Sequence, residues 1–106
     1  MSQIRLYLDE DSMRKSLAEA DMINRQDEDH LTTASAAGRA MFTYNTADYC
    51  ALHQSWMTLE RTHAGIIVAP QQQYSVGEEL RRIMRLISRR TAGQMQNRVE
   101  FLTSWA

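Results

Sequence analysis

Residues 64–69, Ala-Gly-Ile-Ile-Val-Ala, form an unbroken apolar run closed by Pro70. A run of that length reads as a buried strand. Two shorter segments are of the same kind: residues 4–8 (Ile-Arg-Leu-Tyr-Leu) and residues 40–43 (Ala-Met-Phe-Thr). The stretches between them carry helical spacing instead. Tyr49, Leu52, Trp56 and Leu59 make an apolar stripe within 47–60. Leu80, Ile83, Met84 and Ile87 make another, behind Ser75 as helix cap with Glu78 three residues on, as in a capping box. Leu31, Ala34 and Ala37 share one face of a helix expected over 27–37, which Gly38 would stop. Ser12 would cap an earlier helix over 13–20 with Leu17 and Ala18 inward, and residues 21–26 break the pattern. Residues 97–105 suit a last strand, with Val99, Phe101 and Thr103 alternating against Arg98, Glu100 and Leu102. Strands alternating with helices predict an α/β fold around a mainly parallel sheet. The 106 residues are the length of one small domain, and no linker or repeat divides them.

The net charge is −1, which excludes a general polyanion binder. The two halves differ, however. Residues 1–53 carry five Lys/Arg against nine Asp/Glu, and residues 54–106 carry seven Arg against four Glu. Folded together, the halves would set an acidic site beside a basic rim. That pairing suits a metal-dependent enzyme acting on a phosphodiester, with arginine on the backbone. No apolar run approaches the roughly 20 residues of a membrane span. Arg5 and the acidic residues after it interrupt any signal-peptide pattern. Cys50 is the only cysteine, so no intrachain disulfide can form. These features predict a cytoplasmic protein.

The carboxylates carry the chemical reading. Asp9-Glu10-Asp11 follows directly on the first strand. In open α/β sheets, sites form beyond the carboxyl ends of the strands. Crowded carboxylates repel one another unless a cation or a base lies among them, and hard oxygen donors suit Mg²⁺ or Mn²⁺. Asn45 and Asp48 occupy the same position after the second strand, and Asp27 opens the acidic run Asp27-Glu28-Asp29. Carboxylates converging from these segments would form a cation site able to polarise a phosphate and activate water. The alternatives are helix capping for Asp27 and turn or cap chemistry for Asn45 and Asp48. His53 and His63 lack zinc spacing. His53 is expected to pack on its helix or face solvent, and His63, just before a strand, could meet a substrate at an edge. Cys50, the methionines and both tryptophans read as core. Arg81, Arg82, Arg85 and Arg89 read as a solvated helix face or a surface for RNA or an acidic partner.

Several of these segments together resemble the small PIN-like domains related to VapC-type toxin ribonucleases. The resemblance lies in I-R-L-Y-L-D-E-D at 4–11 and in D-E-D-H-L-x-x-A-x-x-x-G-R-x-M-F-T-x-N-x-x-D-Y at 27–49. It continues through L-H at 52–53, H-A-G-I-I at 63–67 and N-R-V-E-F-L at 97–102. It implies a three-layer α/β/α domain over 1–106 and a Mg²⁺- or Mn²⁺-dependent endoribonuclease held inactive by an antitoxin protein. By the resemblance Asp9 and Asp48 would be metal ligands, Asp27 and Asn45 would complete or orient the shell, and Asp9, Asp27 and Asp48 would be catalytic. Arg39, Arg81, Arg82 or Arg85 could contact the RNA backbone.

Two departures bear on that expectation. Active relatives often have a further aspartate where this chain has Asn45, which brings a carbonyl oxygen without charge. Relatives also have a longer first helix and a second strand where this chain passes through 17–22. A missing strand would expose a sheet edge, to be covered by a partner chain or a second copy. Both departures favour the alternative of a catalytically silent PIN-like module that binds protein or RNA.

Overall fold

The structure, a computed structural model, describes residues 3–8, 20–71 and 73–106, and the backbone alone for 20–26. The expected helix over 13–20 therefore lies almost wholly outside the described residues, as does the Asp9–Asp11 triplet. Four strands, β1 (Leu6–Leu8), β2 (Ala40–Thr43), β3 (Ile66–Val68) and β4 (Val99–Phe101), pair in the order β1-β2-β3-β4. All pairings are parallel, with Leu8 beside Phe42, Phe42 beside Ile67 and Val68 beside Phe101. The helices are α1 (Ala20–Ala36), α2 (Thr46–Thr58), α3 (Val76–Arg89) and a short α4 (Ala92–Met95).

Strand side chains alternate between faces, and the two cores follow that alternation. Ala40, Phe42, Ile67 and Ala69 pack with Ile83 and Leu86 of α3 and with Met95, Leu102 and Trp105. Met41, Ile66 and Val68 pack on the other face with Leu31 and Ala34 of α1 and Tyr49 and Trp56 of α2. The fold is thus a three-layer α/β/α sandwich around the parallel sheet that the strand–helix alternation predicts. Strands β2 and β3 are buried along their whole length because helices cover both faces. Each fully buried large apolar side chain contributes about 1.5–3 kcal/mol.

Helix α1 differs from the expectation. It runs unbroken through 21–26, where the pattern was expected to fail. The segment holds Met, Arg and Gln, which are good helix formers, and neither Gly nor Pro. Asp27 consequently lies inside the helix and not at its start. It is 0% exposed and shares a buried stripe with Leu31 and Ala34. The helix ends as expected at Gly38, whose φ is +69°. The Gly38 and Arg39 amides donate to the Ser35 and Ala34 carbonyls, which satisfies the last turn in a Schellman arrangement.

Helix α2 stops at Thr58, so Leu59 falls past its end and is exposed. Cys50, expected in the core, is half-buried, and burial raises its thiol pKa. Helix α3 is turned relative to the expected stripe. Ile83 and Leu86 are buried, whereas Leu80 and Met84 are 55% and 62% exposed. Its apolar positions span a wider arc than one sheet face can cover. Ser75 does cap the helix, its Oγ accepting from the Glu78 amide at 3.2 Å. Ser75→Ala should cost about 1 kcal/mol in urea unfolding. An unchanged midpoint would show that the cap contributes nothing.

The steps β2→β3 and β3→β4 move the same way across the sheet, yet α2 and α3 lie on opposite faces. The two crossovers therefore have opposite hands, one of them the uncommon left hand. The second ends with an antiparallel bridge between Thr91 and Gln3, next to β1, before β4 forms the far side of the sheet. Strands β1 and β4 are the two ends of the order among the described residues. The expected last strand is only Val99–Phe101 and passes into a 3-10 turn, Leu102–Ser104. The buried side includes Glu100, which its partners make tolerable: the Trp105 indole donates to it at 3.2 Å, and Arg98 lies 3.3 Å away.

Candidate functional site

Four parallel strands put their carboxyl ends on one edge. Asn45 and Asp48 follow β2 there, and Leu8, which precedes Asp9 in the chain, ends the neighbouring strand β1. Helix α1 runs down to the amino end of β2. Asp27 stands nine residues above its last residue, about 13 Å at 1.5 Å per residue, while β2 rises about 10 Å. That brings Asp27 level with the carboxyl edge, on the face it shares with Met41 and Tyr49. The topology thus puts Asn45 and Asp48 on the carboxyl edge, and Asp27 in the buried stripe of α1. Asp9 itself lies outside the described residues.

The turn after β2 is built by Thr43, a buried residue whose Oγ1 accepts from the Asn45 amide at 3.1 Å. Asn45 takes the N-cap position of α2, and its carbonyl accepts from the Tyr49 amide at 3.1 Å. Its side chain, however, makes no capping bond. Side-chain capping is therefore absent at Asn45, though its backbone takes part in the turn with Thr43, and Asp27 lies past the helix start. Asp48 sits half-buried in the first turn of α2, where the helix dipole favours a carboxylate whatever else it does. Next to Asn45, Tyr44 is pushed up to about 12 by burial and by its hydrogen bond to Glu79. Tyr7 of β1 and His30 of α1 meet at 2.8 Å.

The arginines separate. Arg39 precedes β2 and so lies at the opposite, amino edge, its Nη1 donating to the Leu6 carbonyl at 3.2 Å. Arg81 and Arg82 both bind Glu78, at 2.6 and 2.7 Å, and hold that carboxyl down at about 2. Arg82 also stacks over Tyr74 and reaches the carbonyls of Leu102 and Thr103 just past β4. Arg85 is exposed.

The amino edge holds a cluster that the spacing of residues did not announce. His63 is buried, and its Nδ1 accepts from the Gly65 amide at 3.0 Å. That bond leaves the proton of a neutral His63 on Nε2, which donates to His53 Nδ1 at 2.9 Å. Asn97, held at φ +62°, closes the loop by accepting from the His63 amide and donating to the His63 carbonyl, both at 2.9 Å. Desolvation, and secondarily His53, lower the His63 pKa to about 4. His63 borders a cleft of about 280 Å³ lined by Ser35, Thr62, Ala64 and Gln96 among others. A histidine on a helix and another in a loop ten residues on show no common period. Only the placement of His63 before a strand hinted at an edge position.

Oxygen donors of the kind found at the carboxyl edge, carboxylates and an amide, suit a hard divalent cation. Among the described residues no group of three or more His, Cys, Asp and Glu side chains is gathered to hold a metal. Among the same residues no helix is long and apolar enough to cross a membrane. No protein-family model, curated protein or solved structure matches the chain.

Proposed function

We propose that the chain is a PIN-like, metal-dependent endoribonuclease of toxin–antitoxin type, cleaving RNA phosphodiester bonds at the carboxyl edge. What supports this reading is the polar turn after β2, where Asn45, whose side chain makes no capping bond, and Asp48 open on the carboxyl edge, together with the burial of the acidic Asp27 in α1. Asp9 and Asp48 would hold Mg²⁺ or Mn²⁺, with Asp27 and Asn45 completing or orienting the shell. Such a cation polarises the phosphate and lowers the pKa of a bound water. Thr43 sets the backbone of Asn45 and so the reach of its amide oxygen. Burial keeps water from competing for Asp27. An antitoxin protein, or a second copy of the chain, would cover the exposed side of β1 in the cytoplasm.

The test is incubation of the purified protein with single-stranded RNA in Mn²⁺. Cleavage that Asp48→Asn and Asp27→Asn remove, with the melting temperature retained, is the expected result. No cleavage, or cleavage that survives both changes, overturns the reading. The neutral Asn45 favours a second reading, a catalytically silent PIN-like module that only binds protein or RNA. Calorimetry with Mn²⁺ separates the two, because the silent module predicts no heat that depends on Asp48.

A further inference from the structure

Helix α3 and the residue after it carry five arginines, Arg81, Arg82, Arg85, Arg89 and Arg90. Their neighbours divide them into two groups. Glu78 engages Arg81 and Arg82, and Glu79 turns to Tyr44. Glu100 lies 3.3 Å from Arg98 and 3.8 Å from Arg90, and the Trp105 indole holds it inward at 3.2 Å. Among the described residues Glu78 and Glu100 are thereby engaged. Arg85 and Arg89 are exposed, and among the described residues neither guanidinium has a hydrogen bond or ion pair. With Arg90, Glu100, Ser104, Trp105 and Ala106 they line a cleft of about 340 Å³.

Positions 85 and 89 are one helical turn apart, so the two guanidiniums share a face. Like charges at that spacing repel, and the pair weakens the helix by a few tenths of a kcal/mol at most. An anion between them relieves the repulsion. A guanidinium presents a planar fork of N–H donors that fits two phosphate oxygens at once. Two forks a turn apart can take neighbouring phosphates of one strand.

We propose that this cleft grips the phosphate backbone of single-stranded RNA, with Arg85 and Arg89 as the gripping residues. The choice of RNA as the source of the phosphate rests on the ribonuclease reading above; the affinity for phosphate rests on the cleft alone. From Arg85, α3 climbs toward the carboxyl edge, where Arg82 touches the segment after β4 and Glu79 meets Tyr44 beside Asn45. A strand held in the cleft is led along the helix to that edge.

Fluorescence anisotropy with a labelled oligouridine of about 12 nucleotides tests the proposal. It is run on the whole chain with divalent metal chelated, so that binding is read apart from cleavage. The double variant Arg85→Ala/Arg89→Ala should bind about 10-fold more weakly at about 50 mM salt, and the slope of log K against log salt should flatten by about 1.4. The double lysine variant should keep the slope while losing part of the affinity, and Arg5→Ala, at an exposed arginine elsewhere, should change neither. Unchanged affinity and slope in the alanine variant overturn the proposal. So does a mononucleotide that competes as well per phosphate as the oligomer, which would mark a free-phosphate site, or a polyglutamate that binds as tightly. If cleavage fails while binding behaves as expected, the edge reading falls and the cleft stands.

Discussion

Replacing Gly65 by alanine will destabilise the fold by about 3–4 kcal/mol, a large part of the 5–15 kcal/mol that holds a typical domain together. Gly65 has φ +119°, a conformation that L side chains rarely adopt. A Cβ there would stand 2.7 Å from the Met95 carbonyl oxygen and 3.0 Å from the Met95 Cβ. The oxygen belongs to backbone, and Met95 is fully buried, so neither can yield cheaply. The position also opens β3: the Gly65 carbonyl accepts from the Met41 amide at 2.9 Å, and its own amide binds His63. Strain and overpacking therefore fall on the join between the sheet and the α4 turn. Two other glycines calibrate the effect. Gly38→Ala, at φ +69° with open space around it, should cost about 1–2 kcal/mol. Gly77→Ala, in helix α3 with nothing near, should be neutral or stabilising by up to about 1 kcal/mol. Urea unfolding of the three variants checks the order. A Gly65→Ala protein no less stable than Gly38→Ala would show that Met95 does not confine that glycine.

Acid will weaken the fold through His63, in a window set by its two pKa values. The unfolded histidine takes up a proton near pH 6.5, whereas in the fold this happens only near 4. Between those values the unfolded state binds more protons, so stability rises with pH. The contribution is complete above about 6.5 and is lost progressively as pH falls toward 4. Each pKa step is worth about 1.4 kcal/mol, and with screening around the half-exposed His53 the total is on the order of 2 kcal/mol. The geometry explains the sign. Nδ1 of His63 faces a backbone donor and Nε2 donates to His53, so an added proton on the pair must break one of the two bonds. Arg61, stacked on Trp56 at 3.8 Å, is itself paired with Glu28 at 2.9 Å. His63→Asn keeps an acceptor near the Gly65 amide and removes the titration. Unfolding free energies at pH 7.5 and 5 should therefore differ by roughly 1 kcal/mol less in the variant. An equal pH dependence in both proteins would place the acid sensitivity elsewhere.

Much of this architecture could be read from local patterns. The limits of β2 fall where the apolar run Ala40–Thr43 puts them, because a strand covered on both faces can carry no polar break. Gly38 and Ser75 end and start their helices as expected, because capping is decided within a few residues. The edge position of Asn45 and Asp48 was also legible, since every loop after a parallel strand opens on the same side. Asp27 was legible as an acidic position but not as a buried one. Its burial needed the uninterrupted α1, whose 21–26 segment lacks a clear apolar stripe and gives periodicity nothing to detect. The same limit applies to α3. Leu80 and Met84 belong to an apolar arc, but which part of the arc meets the sheet depends on the angle at which α3 crosses it.

What the sequence by itself determined is the alternation of short apolar strands with helices, hence parallel pairing, hence one carboxyl edge on which the polar turns collect. Those are consequences of side-chain period and chain connectivity, which act over a few residues at a time. Only the tertiary structure decided that Asp27 turns inward, that His53 meets His63, that Glu100 is spent on Arg98 and Trp105, and that Arg85 and Arg89 are left facing a cleft. These depend on which face each helix presents to the sheet and on where α3 crosses it. Residues far apart in the chain are then neighbours through packing alone, and packing has no period to read.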